Sequence, residues 1–230
     1  MKYKISKKVQ RRKEESLAHL RKPNHLGDAT TRCEFPARAL GLYSEQITEG
    51  ALYVIDHLQE AGFHGELVGG CVRDLLLGHQ PKDFDVVTSA LPQDICAVFS
   101  RSRIIGRRFP LVHVRVGQEI IEVSTYRTTP SASGITTSAF ALDRKIVRDD
   151  TFGTRHQDVK RRDFSINALY YDPTREVVID YINSLLDIEM RLLRPVEDPI
   201  QSFSEDPIRM IRAIRFSARL NINMDQSVVA

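Results

Sequence analysis

The sequence predicts an α/β fold, a mixed sheet flanked by helices that gives way near residue 195 to a helical region. Three observations predict it. Short apolar strand patterns alternate with helical ones, as in "GELVGG" followed by "CVRDLLLG". "PLVHVRVG" and "EIIEVSTY" are joined through Gly117-Gln118, the spacing of a tight antiparallel hairpin. "DPIRMIRAIRFSARL" has helical periodicity with Pro207 in its first turn, where a missing N–H is harmless. A chain of 230 residues can bury one full core and begin a second unit.

Residues 1–40 lack sustained periodicity and read as a basic N-terminal arm or linker. Residues 1–22 hold nine Lys/Arg against Glu14 and Glu15, a net of +7, which leaves −4 over the remainder. Such an arm suits nucleic acid phosphates, and it equally fits a solvated tail. It lacks the apolar stretch of a secretory signal. Ser44 then opens a helix in which Ile47, Ala51, Val54, Ile55 and Leu58 share a face, and Gly62 stops it. "GELVGG" is a strand running into a glycine pair, and "CVRDLLLG" is one or two helical turns closed by Gly78. "DFDVVT" alternates as a strand, and "LPQDICAVFS" is helical with Pro92 early.

"SRIIG" adds a strand before the hairpin. Residues 128–141 are uncharged and rich in Ser, Thr and Ala, a loop composition. "RRDFSINALYY" follows, and Asp172-Pro-Thr-Arg175 turns the chain into "EVVIDY". Apolar content of 42% and charged content of 27% are those of a soluble globular protein. No run reaches the roughly 18 apolar residues of a membrane helix. Cys33, Cys71 and Cys96 are odd in number and widely spaced. They argue for reduced thiols in a cytoplasmic setting, against a disulfide frame or zinc site.

The chemistry concentrates in "LVGGCVRDLLLGHQPKDFDVVTSA". On a strand Asp83 and Asp85 point together while Phe84 faces the core. Two carboxylates that close repel, and they tolerate it at a solvated edge or around a divalent cation. Alone, an Asp-x-Asp is more often a surface strand. Glu122, midway along "IIEVST", adds a third carboxylate from a second strand. Three such groups are the minimum for two-metal phosphoryl transfer, and their hard oxygens suit Mg²⁺. Gly69-Gly70, between strand and helix, permits close backbone approach to phosphate oxygens, and Arg73 lies one turn further on.

"LVGGCVRDLLLG…KDFDVVTSA", "IIEVSTYR", "RRDFSINALYY" and "EDPIRMIRAIRFSARL" resemble four successive motifs of class II nucleotidyltransferases of the DNA polymerase β superfamily. That group comprises CCA-adding tRNA nucleotidyltransferases and bacterial poly(A) polymerases. The resemblance spans roughly residues 44–222. "IIGRRFPLVHVRVGQEIIEVSTYR" is closest to the poly(A) polymerase branch, with its Arg-Arg-Phe and following Leu-x-His.

The resemblance implies a polymerase β-like head over 41–194, then the start of a helical neck over 195–230, truncated at Ala230 where relatives continue. It implies that Asp83, Asp85 and Glu122 are catalytic and hold two Mg²⁺ ions. Gly69, Gly70 and Arg73 would bind the triphosphate of ATP. Arg162, Asp163 and Asn167 would place its ribose and phosphates. Asp206 and Arg209 would address the base edge, although Asp206 equally fits a helix N-cap with Arg209 as its partner. Arg107 and Arg108 would touch RNA or triphosphate. His113, alone on an alternating strand, reads as structural. Asn183-Ser184 stands where the family has a Gly-Gly turn.

The implied activity is template-independent addition of AMP to an RNA 3′ end. CCA addition to tRNA is the sister alternative. An idle RNA- or nucleotide-binding head and a small-molecule nucleotidyltransferase stay open as rivals.

Overall fold

The computed structural model describes residues 32–106, 110–128 and 152–229. Eight strands form one sheet: β1 (Cys33–Pro36), β2 (Gly65–Val68), β3 (Val86–Thr88), β4 (Ser102–Ile105), β5 (Leu111–Val116), β6 (Glu119–Thr125), β7 (Tyr170–Asp172) and β8 (Val177–Asp180). Their order is β1-β8-β7-β2-β3-β6-β5-β4. Neighbours run antiparallel except β3 and β6, which are parallel.

Helices α1 (Glu49–Glu60) and α3 (Pro92–Val98) cover one face of the sheet, burying Val54, Ile55, Leu58 and Ile95 against Val86, Val112, Ile121 and Val123. Helix α2 (Gly70–Leu76) starts on the second glycine of the pair, with Gly69 as its N-cap. The opposite face is covered only over part of its width. There Val68 and Val87 pack with Tyr126, Tyr170 and Val159 of α4 (Arg155–Lys160).

Several boundaries differ from the sequence reading. Residues 33–40 are not arm: β1 pairs with β8 and a 3₁₀ turn, Ala37–Leu40, follows it. A four-residue edge strand is too short to show a period. Ser44 opens only a 3₁₀ turn; α1 starts at Glu49, capped by Thr48, whose Oγ1 accepts from Ala51 N at 3.3 Å. Residues 129–151, most of the expected loop, and the Arg107-Arg108 pair lie outside the described residues. Asn183 adopts φ +61°, a conformation that Asn tolerates without glycine, and leads into α5 (Ser184–Glu189).

The C-terminal part holds α6 (Pro199–Glu205), α7 (Ile208–Leu220) and α8 (Gln226–Val229). Two short parallel strands, β9 (Leu192–Leu193) and β10 (Asn223–Met224), join its end back to the head. Only Ala213 and Leu220 of α7 are buried, and Ile208, Ile211 and Ile214 are exposed. No helix of the described residues is long and apolar enough to cross a membrane. Cys33, Cys71 and Cys96 form no disulfide.

Beneath the half-covered face lies a fully buried carboxylate, Asp158. It accepts from Arg127 N (3.2 Å), Arg161 Nε (2.9 Å), Arg162 Nη2 (2.8 Å) and the Tyr170 hydroxyl (2.8 Å). Burial raises its pKa, but the charges of Arg162 and Arg161 outweigh that and hold it at about 2. A folded pKa below the unfolded value stabilises above the unfolded pKa and is lost as pH falls through the folded one. Asp158→Ala is expected to cost about 3 kcal/mol, because it strands the partly buried guanidinium groups of Arg161 and Arg162. Urea denaturation should also show that the variant lacks the wild type's stability loss between about pH 4 and 2.

Candidate active site

The site begins with strand register. Val86 pairs with Val123 across the parallel β3–β6 ladder. Asp85 and Glu122, each one residue earlier, therefore stand side by side on the partly covered face. The strand expected over "DFDVVT" is shorter, since β3 begins at Val86; just ahead of it Asp83 and Asp85 are exposed while Phe84 between them is buried, an extension of the strand's alternation. Val68 N donates to the Asp85 carbonyl at 3.1 Å, so the carboxylates sit one residue from the glycine bend.

Surrounding protein pushes the Asp85 pKa up, and the nearby Glu122 and Asp83 charges add to it, with Arg162 opposing. The three carboxylates thus share one electrostatic field. Glu122 leans the other way: His113, its cross-strand neighbour, has Nε2 3.4 Å from Glu122 Oε1. Among the described residues, no three acid, imidazole or thiol groups are gathered tightly enough to chelate an ion. The donor set still fits Mg²⁺. That ion takes one or two carboxylates and completes its shell with water and phosphate oxygens. Carboxylates this near repel one another, and a cation between them would reverse the sign of the interaction.

Gly69 has φ +77° and ψ −127°, a backbone that L residues with a Cβ avoid. A Cβ there would stand 3.4 Å from Arg162 Nη1, whereas one on Gly70 would meet Arg73 Nη2 at an ordinary 3.6 Å.

The arginines expected to reach phosphate are held inside. Arg73 is 4% exposed; it pairs with Asp74 (Nη2–Oδ1 2.6 Å) and donates from Nη1 to Asn167 Oδ1 at 2.6 Å. Arg162 is engaged with Asp158, donates to the Asn167 carbonyl at 3.1 Å and lies over the Tyr170 ring. Asn167 Nδ2 donates to Asp163 Oδ1 at 3.0 Å, and Asp163 Oδ2 accepts from Arg212 Nε at 2.7 Å. Arg73, Asn167, Asp163 and Arg212 therefore form one continuous relay from the glycine bend to α7. The Phe216 ring lies 5.2 Å from the Arg73 guanidinium and 5.3 Å from that of Arg212. Sequence reasoning missed Arg212 and Phe216. Their signal was the four-residue spacing on one helical face.

Asp206 and Arg209 do not meet as a pair. Asp206 is not the N-cap of α7, which is Pro207; its Oδ1 accepts from Ile208 N at 3.1 Å in a two-residue turn just ahead of the helix. Arg209 instead donates to Ser202 Oγ (2.7 Å) and to the Arg161 carbonyl (3.1 Å), next to Arg162. A cavity of about 360 Å³, lined by His64, Ser89, Tyr126, Arg155 and Tyr181 among others, lies at the other end of β2 and β3. It contains none of the predicted residues.

A mixed sheet that carries two aspartates and a glutamate beside a glycine bend defines a nucleotidyltransferase head. The chain belongs to the poly(A) polymerase head domain family, whose model matches residues 66–194. It is 44% identical over 181 residues to poly(A) polymerase I of Haemophilus influenzae, covering 78% of this chain and 40% of that one. It is 37% identical over 176 residues to the CCA-adding enzyme of Lactobacillus helveticus, covering 76% of this chain and 42% of the relative. The solved CCA-adding enzyme of Bacillus stearothermophilus in complex with CTP superposes with a TM-score of 0.66 at 34% identity, over 77% of this chain and 40% of that chain. The chain spans about two fifths of the length of the curated relatives it matches.

The raised Asp85 pKa means that ionising it in the folded protein opposes folding at neutral pH. Stability from this group falls as pH rises past the ordinary carboxylate range. Glu122→Gln removes one of the repelling charges. Its melting temperature at pH 7 without divalent ions should exceed the wild type's, with a lower Asp85 pKa by carboxyl NMR. An unchanged Asp85 pKa would show that the two side chains do not share a field.

Proposed function

We propose that this protein adds AMP from ATP to RNA 3′ ends without a template. The observation that carries the reading is the juxtaposition of Asp85, just ahead of β3, and Glu122, on the adjacent β6, with the Gly69-Gly70 bend. Among the relatives compared, greater identity to poly(A) polymerase I, 44% against 37%, favours adenylate addition over CCA addition.

Asp83, Asp85 and Glu122 would hold two Mg²⁺ ions, which when bound supply Lewis-acid stabilisation of the attacking and leaving oxygens. The Gly69-Gly70 backbone approaches the triphosphate with no side chain in the way. Arg73 and Arg162, fixed behind the bend, contribute positive potential that needs no reorganisation. Asp163 and Asn167 lie where ribose and phosphate would be oriented. Arg209 and Asp206, at the start of α7, bound the space for the base. The RNA 3′ oxygen bonds to the α-phosphorus, the bond from that phosphorus to the bridging oxygen breaks, and pyrophosphate leaves. The hydroxyl proton passes to solvent.

A CCA-adding reading is supported by the 37% identical relative and by the CTP-bound structural neighbour. Incubation of end-trimmed tRNA with CTP and ATP separates the two. A long A tract supports polyadenylation; ordered addition that halts after C, C and A supports the sister activity.

Two further outcomes follow. Incorporation of ATP onto oligo(A) with Mg²⁺ should fall by roughly 10²-fold or more in Asp83→Ala/Asp85→Ala, in line with loss of preorganised transition-state stabilisation. Undiminished incorporation would contradict the assignment. Gly70→Ala should keep the wild-type melting temperature yet raise the KM for ATP. Gly69→Ala should lower stability by about 1–3 kcal/mol through its forced positive φ.

A further inference from the structure

The face that carries Asp85 and Glu122 continues past them to the far edge of the sheet. His113 pairs with Glu122, and Arg103 on β4 pairs with His113, so one cross-strand row runs Asp85, Glu122, His113, Arg103. One rung away Arg115 N donates to the Arg101 carbonyl at 2.8 Å, and Arg115 itself pairs with Ile120. Residues directly opposite across a ladder share a face, so Arg101, Arg103 and Arg115 project on the same side as the carboxylates. All three are exposed, as is Ile120 at 56%. The reverse face of β4 and β5 packs on α3 through Val112 and Val114, and no described element covers this one.

None of the three arginines forms an ion pair with a described residue. That distinguishes them from Arg38, Arg73, Arg155, Arg161, Arg162 and Arg212, which all do. Three unpaired cations on one open face repel each other, and a polyanion laid across them would relieve that.

Sheet order decides which polyanion. The glycine bend at the end of β2 lies on one side of the carboxylates, and β5 and β4 lie on the other. In-line displacement sets the attacking and leaving oxygens on opposite sides of the α-phosphorus. With the triphosphate seated at the bend, the attacking 3′ hydroxyl must come from the β5–β4 side. Three strand spacings separate β3 from β4, about 14 Å, a span for the last few nucleotides of a strand.

We propose that Arg101, Arg103 and Arg115 form a phosphate-binding ledge for the 3′-terminal nucleotides of the RNA primer, with His113 between the ledge and the carboxylates. This rests on the reading of the site as an RNA-extending one, and it uses neither Arg107 nor Arg108.

The test is binding of a single-stranded oligo(A) to the protein over a range of salt, followed by fluorescence anisotropy. Each phosphate contact with a single strand contributes about 0.7 to the slope of log K against log salt, so Arg101→Ala/Arg103→Ala/Arg115→Ala should reduce the slope by about 2. Mg·ATP binding measured by calorimetry should stay at the wild-type value. The triple lysine variant, which keeps the point charges, should recover the slope. A wild-type slope in the alanine variant would overturn the proposal, and so would loss of ATP binding with RNA binding intact. Because binding is read without turnover, a slope that falls in the alanine variant of a protein that never extends oligo(A) would count against polyadenylation and for the ledge.

Discussion

Where β3 runs parallel to β6, Asp85 and Glu122 are forced into neighbouring positions, and backbone hydrogen bonds hold them there against their own repulsion. β3 is locked on its other side by antiparallel pairing with β2. A slip of one residue would turn Asp85 toward the core and Phe84 to solvent, so the buried Val86, Val123 and Phe84 defend the register. The same pairing sets the glycine bend beside the acids, because β2 ends where β3 begins. Fold and site are consequences of one ladder.

Behind that ladder the protein spends unusually many buried charges. Asp158 gathers Arg161, Arg162 and Tyr170, and Glu66, inside β2, gathers Arg155 and the Tyr126 hydroxyl. Arg73, Asn167, Asp163 and Arg212 connect α2 to α7. Buried ion pairs contribute little net stability against apolar alternatives, so their value lies in fixing geometry. Here they fix guanidinium groups around the glycine bend and tie α7 to the head. Arg73, Arg155, Arg161, Arg162 and Arg212 each pair with a carboxylate, while Arg101, Arg103 and Arg115 on the β4–β5 face pair with none among the described residues. That contrast separates groups that hold the site from groups free to take a ligand.

The sequence made some of this legible and hid the rest for physical reasons. The hairpin at Gly117-Gln118, the prolines opening α3 and leading α7, and the Asp172 turn are local signals, and each stands in the fold. Thr154 with Gln157 was a readable capping box for α4 that periodicity alone overlooked. β1 was illegible because its four residues have meaning only against β8, more than 140 positions on. The alternation around Asp83, Asp85 and Glu122 marked them as one-faced acids. Their facing one another, and the lean of Glu122 toward His113, depend on pairing that no single segment encodes. Arg73 and Arg162 read as free phosphate ligands, but their carboxylate partners come from the adjacent Asp74 and from Asp158, and only packing reveals the choice.

The claim beneath all of this is that the open face between β2 and β5 gathers a divalent ion on acids from two strands. Anomalous diffraction from crystals grown with Mn²⁺ and a non-hydrolysable ATP analogue tests it most directly. The account predicts anomalous density bounded by Asp83, Asp85 and the triphosphate, with the Glu122 carboxylate swung from His113 toward it. Ordered triphosphate at the glycine bend with no anomalous peak near Asp85, or a peak ligated elsewhere, would contradict it.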